Sequence, residues 1–181
     1  MLYSDCSIEQ VISKASSLAQ AVLSPTCIFL WGDLGAGKTT FAKSFIRSYY
    51  DDQSVVVPSP TFTIIQTYSA RTPASQQNIT KKRVSSLPKK NYELSGQTNT
   101  YDPSVSDPQS LDTPVYDIWH VDLYRVKDIE DVFELGLDEA IFQNICLIEW
   151  PDCIRHINVA NKIEVFFEIT TEERRSLKIC E

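Results

Sequence analysis

CIFLWGDLGAGKTTF, residues 27–41, decides the fold. It places Gly32, Gly35 and Gly37 within six positions, three of the five glycines in a chain of 181 residues. Glycine is used where the backbone must turn sharply or approach another group closely. The segment opens with the continuous apolar run CIFLW (27–31), which suits a strand buried on both faces. After the glycines, TTFAKSFIRSYY returns to helical spacing through Phe41, Phe45 and Ile46. The order is strand, glycine loop, helix. Gly32 to Thr39 fit G-x-x-x-x-G-K-[ST], the phosphate-binding loop, in the context that motif requires.

Backbone N–H groups of such a loop turn inward around a phosphate, and the following helix adds the positive end of its dipole. The predicted nucleotide contacts are therefore Gly32, Asp33, Leu34, Gly35, Ala36, Gly37, Lys38, Thr39 and Thr40. Lys38 is expected to bridge β- and γ-phosphates, and the Thr39 hydroxyl to ligate Mg²⁺. The expected ligand is a nucleoside triphosphate with Mg²⁺. The loop implies binding of a nucleoside triphosphate and leaves its fate open.

Three further segments bear on that fate. VDLY (121–124) puts Asp122 at the end of an apolar strand, where a carboxylate would hold Mg²⁺ through water. LIEW (147–150) puts Glu149 at the same place on another strand, at the rim where open α/β sheets bind ligands. Each carboxylate serves either this site or a structural ion pair. Glu149 either orients the attacking water or completes the metal shell. SPTF (59–62) offers Thr61, a hydroxyl suited to sensing a γ-phosphate, although Ser-Pro-Thr also reads as a turn entering a strand. Arg125 is a candidate for stabilising transition-state charge, or for a salt bridge.

Elsewhere, Ser7 and Gln10 form a capping box ahead of an amphipathic helix over 7–23. Short strands are predicted at 55–57, 61–68, 115–122 and 145–150. A helix is expected to open at Asp128 and end at Gly136, with a shorter one near 138–142. KIEVFFEIT and RRSLKIC read as a terminal antiparallel pair. Residues 69–114 hold five of nine prolines and many Ser, Thr, Asn and Gln. That composition is poor for a core, so the segment reads as a polar, flexible surface insertion. The expectation is one domain over 1–181 with a P-loop NTPase-like three-layer α/β fold. Its sheet is mixed and mainly parallel, flanked by helices, with the antiparallel pair at the C-terminus.

A hydrophobic fraction of 43% and a charged fraction of 23% are those of a soluble globular chain. No run approaches a membrane span and the N-terminus lacks a signal core, so a cytoplasmic protein without membrane contact is expected. Net charge −7 argues against gripping nucleic acid unaided. Five scattered cysteines and two histidines give no zinc spacing and read as reduced thiols.

GDLGAGKTTF, SPTF, HVDLYR and a strand ending IEW, in that order, resemble the TsaE (YjeE) family, small bacterial P-loop proteins of tRNA threonylcarbamoyladenosine (t6A) synthesis. The resemblance covers nearly all of the chain outside 69–114. It implies an Mg²⁺-dependent ATPase partnering the TsaB–TsaD heterodimer, in which TsaD transfers the threonylcarbamoyl group to adenosine 37 of tRNAs reading ANN codons. Contact with tRNA would be indirect, through the complex. ATP binding would drive association and hydrolysis would reset the complex. Lys38, Thr61, Asp122 and Glu149 fall at the family's catalytic positions, and Thr39, Asp122 and Glu149 at its metal positions. The departure is an insertion of about 40 residues where members have a short connection. Competing expectations are a small-molecule kinase, a nucleotide-dependent scaffold, and a GTPase reading NKIE (161–164), which has Glu where the guanine-reading motif needs Asp.

Overall fold

The buried strand at the start of the glycine segment is the hub of the molecule. The computed structural model describes residues 1–69 and 115–181, so the expectation for the insertion lies outside the described residues beyond Ser69. The strands are β1 (Leu2–Cys6), β2 (Thr26–Trp31), β3 (Ile65–Tyr68), β4 (Ile118–Asp122), β5 (Ile145–Glu149), β6 (Lys162–Ile169) and β7 (Arg175–Cys180). The helices are α1 (Ile8–Ala21), α2 (Lys38–Tyr49), α3 (Glu130–Phe133) and α4 (Leu137–Gln143). The strands form one sheet in the order β1-β7-β6-β2-β5-β4-β3. β6, β2, β5 and β4 run parallel at its centre, while β7 and β1 on one side and β3 on the other are antiparallel to their neighbours.

Period-two alternation divides the central strands between two cores. Ile28, Leu30 and Leu147 pack with Val11 and Ala15 of α1 and with Phe41 and Phe45 of α2. Cys27, Phe29, Cys146 and Ile148 face the other way, against Val132 of α3 and Leu137 and Ile141 of α4. The result is the three-layer mixed α/β fold expected. All five cysteines are free thiols, three of them buried. Among the described residues no helix is long and apolar enough to cross a membrane.

Local expectations met mixed outcomes. The Ser7–Gln10 capping box is present in both directions at the start of α1. Val55–Val57 is not a strand. Val55 and Val57 are buried and Val56 is exposed, but the alternation packs a loop onto the core, where the Val55 carbonyl accepts from Arg47 Nε at 3.1 Å. Over 61–68 the strand is confined to β3. Pro60–Phe62 is a 3-10 turn in which the Pro60 carbonyl accepts from the amides of Thr63 and Ile64. The predicted 115–122 strand begins at Ile118. The helix expected from Asp128 to Gly136 shortens to α3, which is capped at Glu134, and Gly136, at φ 90°, caps the start of α4 instead. Strand β1 went unpredicted because LYSDC shows no alternation; its register with β7 slips between Tyr3 and Cys6.

The C-terminal tyrosines of α2 pin the place where the chain leaves β3 and returns to β4. Tyr50 Oη lies 2.8 Å from the Tyr68 carbonyl and 3.1 Å from that of Tyr116, and the Tyr116 amide donates to Tyr49 Oη at 3.0 Å. Burial, and then the Asp117 charge, push the Tyr50 pKa above its ordinary value, which keeps the phenol a donor. Tyr50→Phe removes this donor from two partly buried carbonyls. It is expected to cost about 1 kcal/mol and lower Tm by about 2–4 °C; an unchanged melting curve would show that the clamp contributes nothing.

Candidate functional site

The parallel register brings the two predicted carboxylates together. Asp122 and Glu149 are direct partners across β4 and β5, at the ends of their strands, and are 4% and 2% exposed. Both face the α2 side of the sheet, because Ile118 and Leu147 on the same alternation lie in that core. Helix α2 begins there at Lys38, behind a loop shaped by glycine. Gly32 has φ 141°, and a Cβ on it would stand 2.5 Å from the Phe167 carbonyl of β6. Gly37 has φ 105° and caps α2 in the left-handed region, which side chains disfavour. Gly35 also has a positive φ, 77°, so all three glycines are needed by the backbone itself.

The four carboxylate oxygens each meet a polar neighbour. The Thr39 hydroxyl donates to Glu149 Oε2 at 2.9 Å, and His120 Nε2 lies 2.9 Å from Glu149 Oε1. The Thr61 hydroxyl donates to Asp122 Oδ2 at 2.7 Å, and the Tyr124 amide to Asp122 Oδ1 at 3.0 Å. Ser59 Oγ lies 2.8 Å from Thr61 Oγ1. The 3-10 turn at Pro60–Phe62 therefore presents Thr61 to one carboxylate, while α2 presents Thr39 to the other.

Lys38 is buried, 4% exposed, with its ammonium donating to the carbonyls of Gly32 at 2.6 Å and Asp33 at 2.8 Å. The ammonium also sits 3.9 Å from the centre of the Trp150 ring, a cation–π contact. Trp150 reaches it from a left-handed backbone at φ 57° and packs on Tyr124 at 4.9 Å.

A cleft of about 230 Å³ joins these groups. Leu34, Gly35, Gly37, Lys38, Thr39 and Thr40 line it from the loop, and Ser59, Thr61, Asp122, Glu149 and Trp150 from across it. Gly32, Asp33 and Ala36 build the loop without lining the cleft. A second cleft of about 430 Å³, between Ser7–Glu9 and residues 172–175, adjoins the loop through Arg175, which donates to the Gly35 carbonyl at 3.1 Å. Arg125 makes no ion pair among the described residues; its guanidinium stacks on the exposed Phe62 ring at 4.7 Å. Asn161, of the NKIE segment, lies at the opposite rim, donating to the Pro25 carbonyl before β2. That position is remote from the cleft and counts against a guanine-reading role.

His120 was missed as a site residue from sequence. The signal for His120 was available: it lies two before Asp122 on one strand, and so on the same face. Among the described residues no three of His, Cys, Asp and Glu converge into a metal cage. Two carboxylates beside two hydroxyls still form an all-oxygen set, which suits a hard cation that retains water, such as Mg²⁺.

Fold and loop together define a P-loop protein of the α/β class. Within that class, the chain belongs to the TsaE family. The family model described as "Threonylcarbamoyl adenosine biosynthesis protein TsaE" matches residues 6–80 and 98–177. The tRNA threonylcarbamoyladenosine biosynthesis protein TsaE of Rickettsia felis is 30% identical over 171 residues, covering 94% of this chain and 74% of that one. Its namesake in Bacillus subtilis is 27% identical over 149 residues, covering 82% and 65%. The crystal structure of Bacillus subtilis YdiB matches the fold with TM-score 0.57 at 20% identity, over 99% of this chain and 83% of that one.

Burial holds the Lys38 pKa below its ordinary 10.5, opposed by the charges of Glu149, Asp122 and Asp33. Between the depressed folded value and 10.5, the unfolded chain keeps this proton and the folded chain releases it, so stability rises with pH there. Wild type minus Lys38→Met, followed by denaturant unfolding, is expected to gain stability as pH climbs toward 10.5. A flat or falling difference would contradict the burial effect.

Proposed function

We propose that this chain is a single-domain, Mg²⁺-dependent ATPase of t6A synthesis that converts ATP and water to ADP and phosphate as the partner of a TsaB–TsaD heterodimer. The observation that carries this reading is the pair of buried carboxylates, Asp122 and Glu149, each held by a threonine from a different side of one cleft beside Lys38. Membership of the TsaE family and the names of its relatives support the t6A role. The charge of −7 favours a route to tRNA through partners. The segment 69–114 is then an insertion on the β3–β4 connection.

In this mechanism the loop from Gly32 to Thr40 binds the phosphates, and the Lys38 ammonium supplies their nearest positive charge. The adjoining cleft between Ser7–Glu9 and residues 172–175 gives space for the base and ribose. Thr39, Asp122 and Glu149 offer the oxygen ligands for Mg²⁺, which when bound neutralises charge on the β- and γ-phosphates. Glu149 orients the attacking water and is the acceptor for its proton. Thr61 senses the γ-phosphate by exchanging its bond to Asp122, so the turn at Pro60–Phe62 reports nucleotide state.

The test is ATP hydrolysis by the full chain with Mg²⁺, alone and with TsaB–TsaD. Stimulation by the heterodimer is expected. Lys38→Ala should lose nucleotide binding, whereas Glu149→Ala should keep binding and lose about a hundredfold or more in turnover. Normal cycles of tRNA modification by a Glu149→Ala chain that no longer hydrolyses ATP would favour a scaffold. Phosphate transferred to an acceptor other than water would favour a kinase.

A further inference from the structure

Strand register explains the two carboxylates and leaves one buried polar group unexplained. β4 and β5 run parallel with Asp122 opposite Glu149 and His120 opposite Leu147. His120 and Asp122 share a face of β4, so Glu149 has a like charge directly across and an imidazole on the diagonal. The His120 ring is fully buried. Its Nε2 lies 2.9 Å from Glu149 Oε1, and its Nδ1 is buried without a hydrogen-bond partner among the described residues. An apolar residue at this place would avoid that unsatisfied nitrogen. Among the described residues, the one polar contact the ring makes is with Glu149.

The structure assigns His120 as the positioning residue of the site: its Nε2–H holds Glu149 Oε1, turning the other oxygen toward Thr39 and the cleft. The assignment rests on the ATPase reading of Glu149. It also fixes the tautomer. A proton on Nδ1 would bury a donor with no acceptor, so the ring donates from Nε2 and leaves Nδ1 bare. The terminal torsion of a glutamate is broad and roughly two-fold, so packing alone does not set the carboxylate plane. The imidazole and the Thr39 hydroxyl, one on each oxygen, do set it. Losing the imidazole frees Glu149 to swing relative to Asp122 while Lys38 and the glycine loop keep their contacts. The loss therefore falls on turnover and spares nucleotide binding.

The experiment compares wild type, His120→Leu, His120→Gln and Glu149→Gln as full chains with Mg²⁺ and TsaB–TsaD, measuring kcat, KM for ATP and Tm. Glutamine keeps an N–H where Nε2 stands; leucine has none. His120→Leu is expected to lower kcat at least about tenfold with KM within about threefold, and His120→Gln to return kcat to within about threefold of wild type. If His120→Leu does not fold, His120→Asn replaces it: its amide reaches only the Nδ1 position, and the same loss is expected. The inference is overturned if the donor-lacking variant keeps kcat within about twofold of wild type, if it loses binding in parallel, or if His120→Gln is equally impaired. Wild-type hydrolysis abolished by Glu149→Gln but indifferent to His120→Leu would sink the role of His120 alone. No wild-type hydrolysis would sink the ATPase reading and this assignment together, whereas hydrolysis untouched by Glu149→Gln would sink the role of Glu149 and with it this assignment.

Discussion

Two negative charges facing each other across neighbouring strands constrain everything else at this rim of the sheet. Like charges directly opposite on paired strands repel, and burial removes the water that would screen them. The molecule answers with one polar neighbour per oxygen: Thr39 and His120 on Glu149, Thr61 and Tyr124 on Asp122. These come from four separate places in the chain: the start of α2, the turn before β3, the middle of β4 and the residues just after it. The loop, the turn and two strands must all be in register before the pair is tolerable. A half-assembled network of this kind is worse than an apolar core.

The same constraint accounts for the placing of Lys38. A buried ammonium without partners is costly, and here two loop carbonyls and the face of Trp150 surround it. The two carboxylates lie close enough to raise its pKa against the effect of burial. Opposite charges are kept near each other without a direct ion pair, each held by its own neutral partners. Such a site is preorganised for an incoming charged group, because its dipoles are already oriented.

The sheet's centre was legible in the sequence because buried parallel strands read as unbroken apolar runs, and CIFLW and ICLIEW do so plainly. The glycine loop was legible for the opposite reason: few residues other than glycine tolerate the φ values at 32 and 37. Thr61, Asp122 and Glu149 could be picked as polar residues at the ends of apolar segments, and the structure brings them into one cleft. What was not legible depends on partners distant in the chain. Strand β1 exists by pairing with β7, and 55–57 fails to be a strand for want of a partner despite its alternation. His120 is a polar residue in mid-strand, where only the β4–β5 register shows which residue it meets.

Tyr50 has a consequence in chain entropy. Its hydroxyl lies between the Tyr68 and Tyr116 carbonyls, and β3 and β4 pair right up to Tyr68 and Ile118, so the two stems of the intervening segment are held together by the body of the fold. For a flexible chain closed on stems held in this way, doubling its length adds only about 0.6 kcal/mol. The sheet is accordingly almost indifferent to how many residues are spelled between those stems. This is the point on the molecule where a lineage can lengthen or shorten the polypeptide with little penalty to the P-loop and its carboxylates.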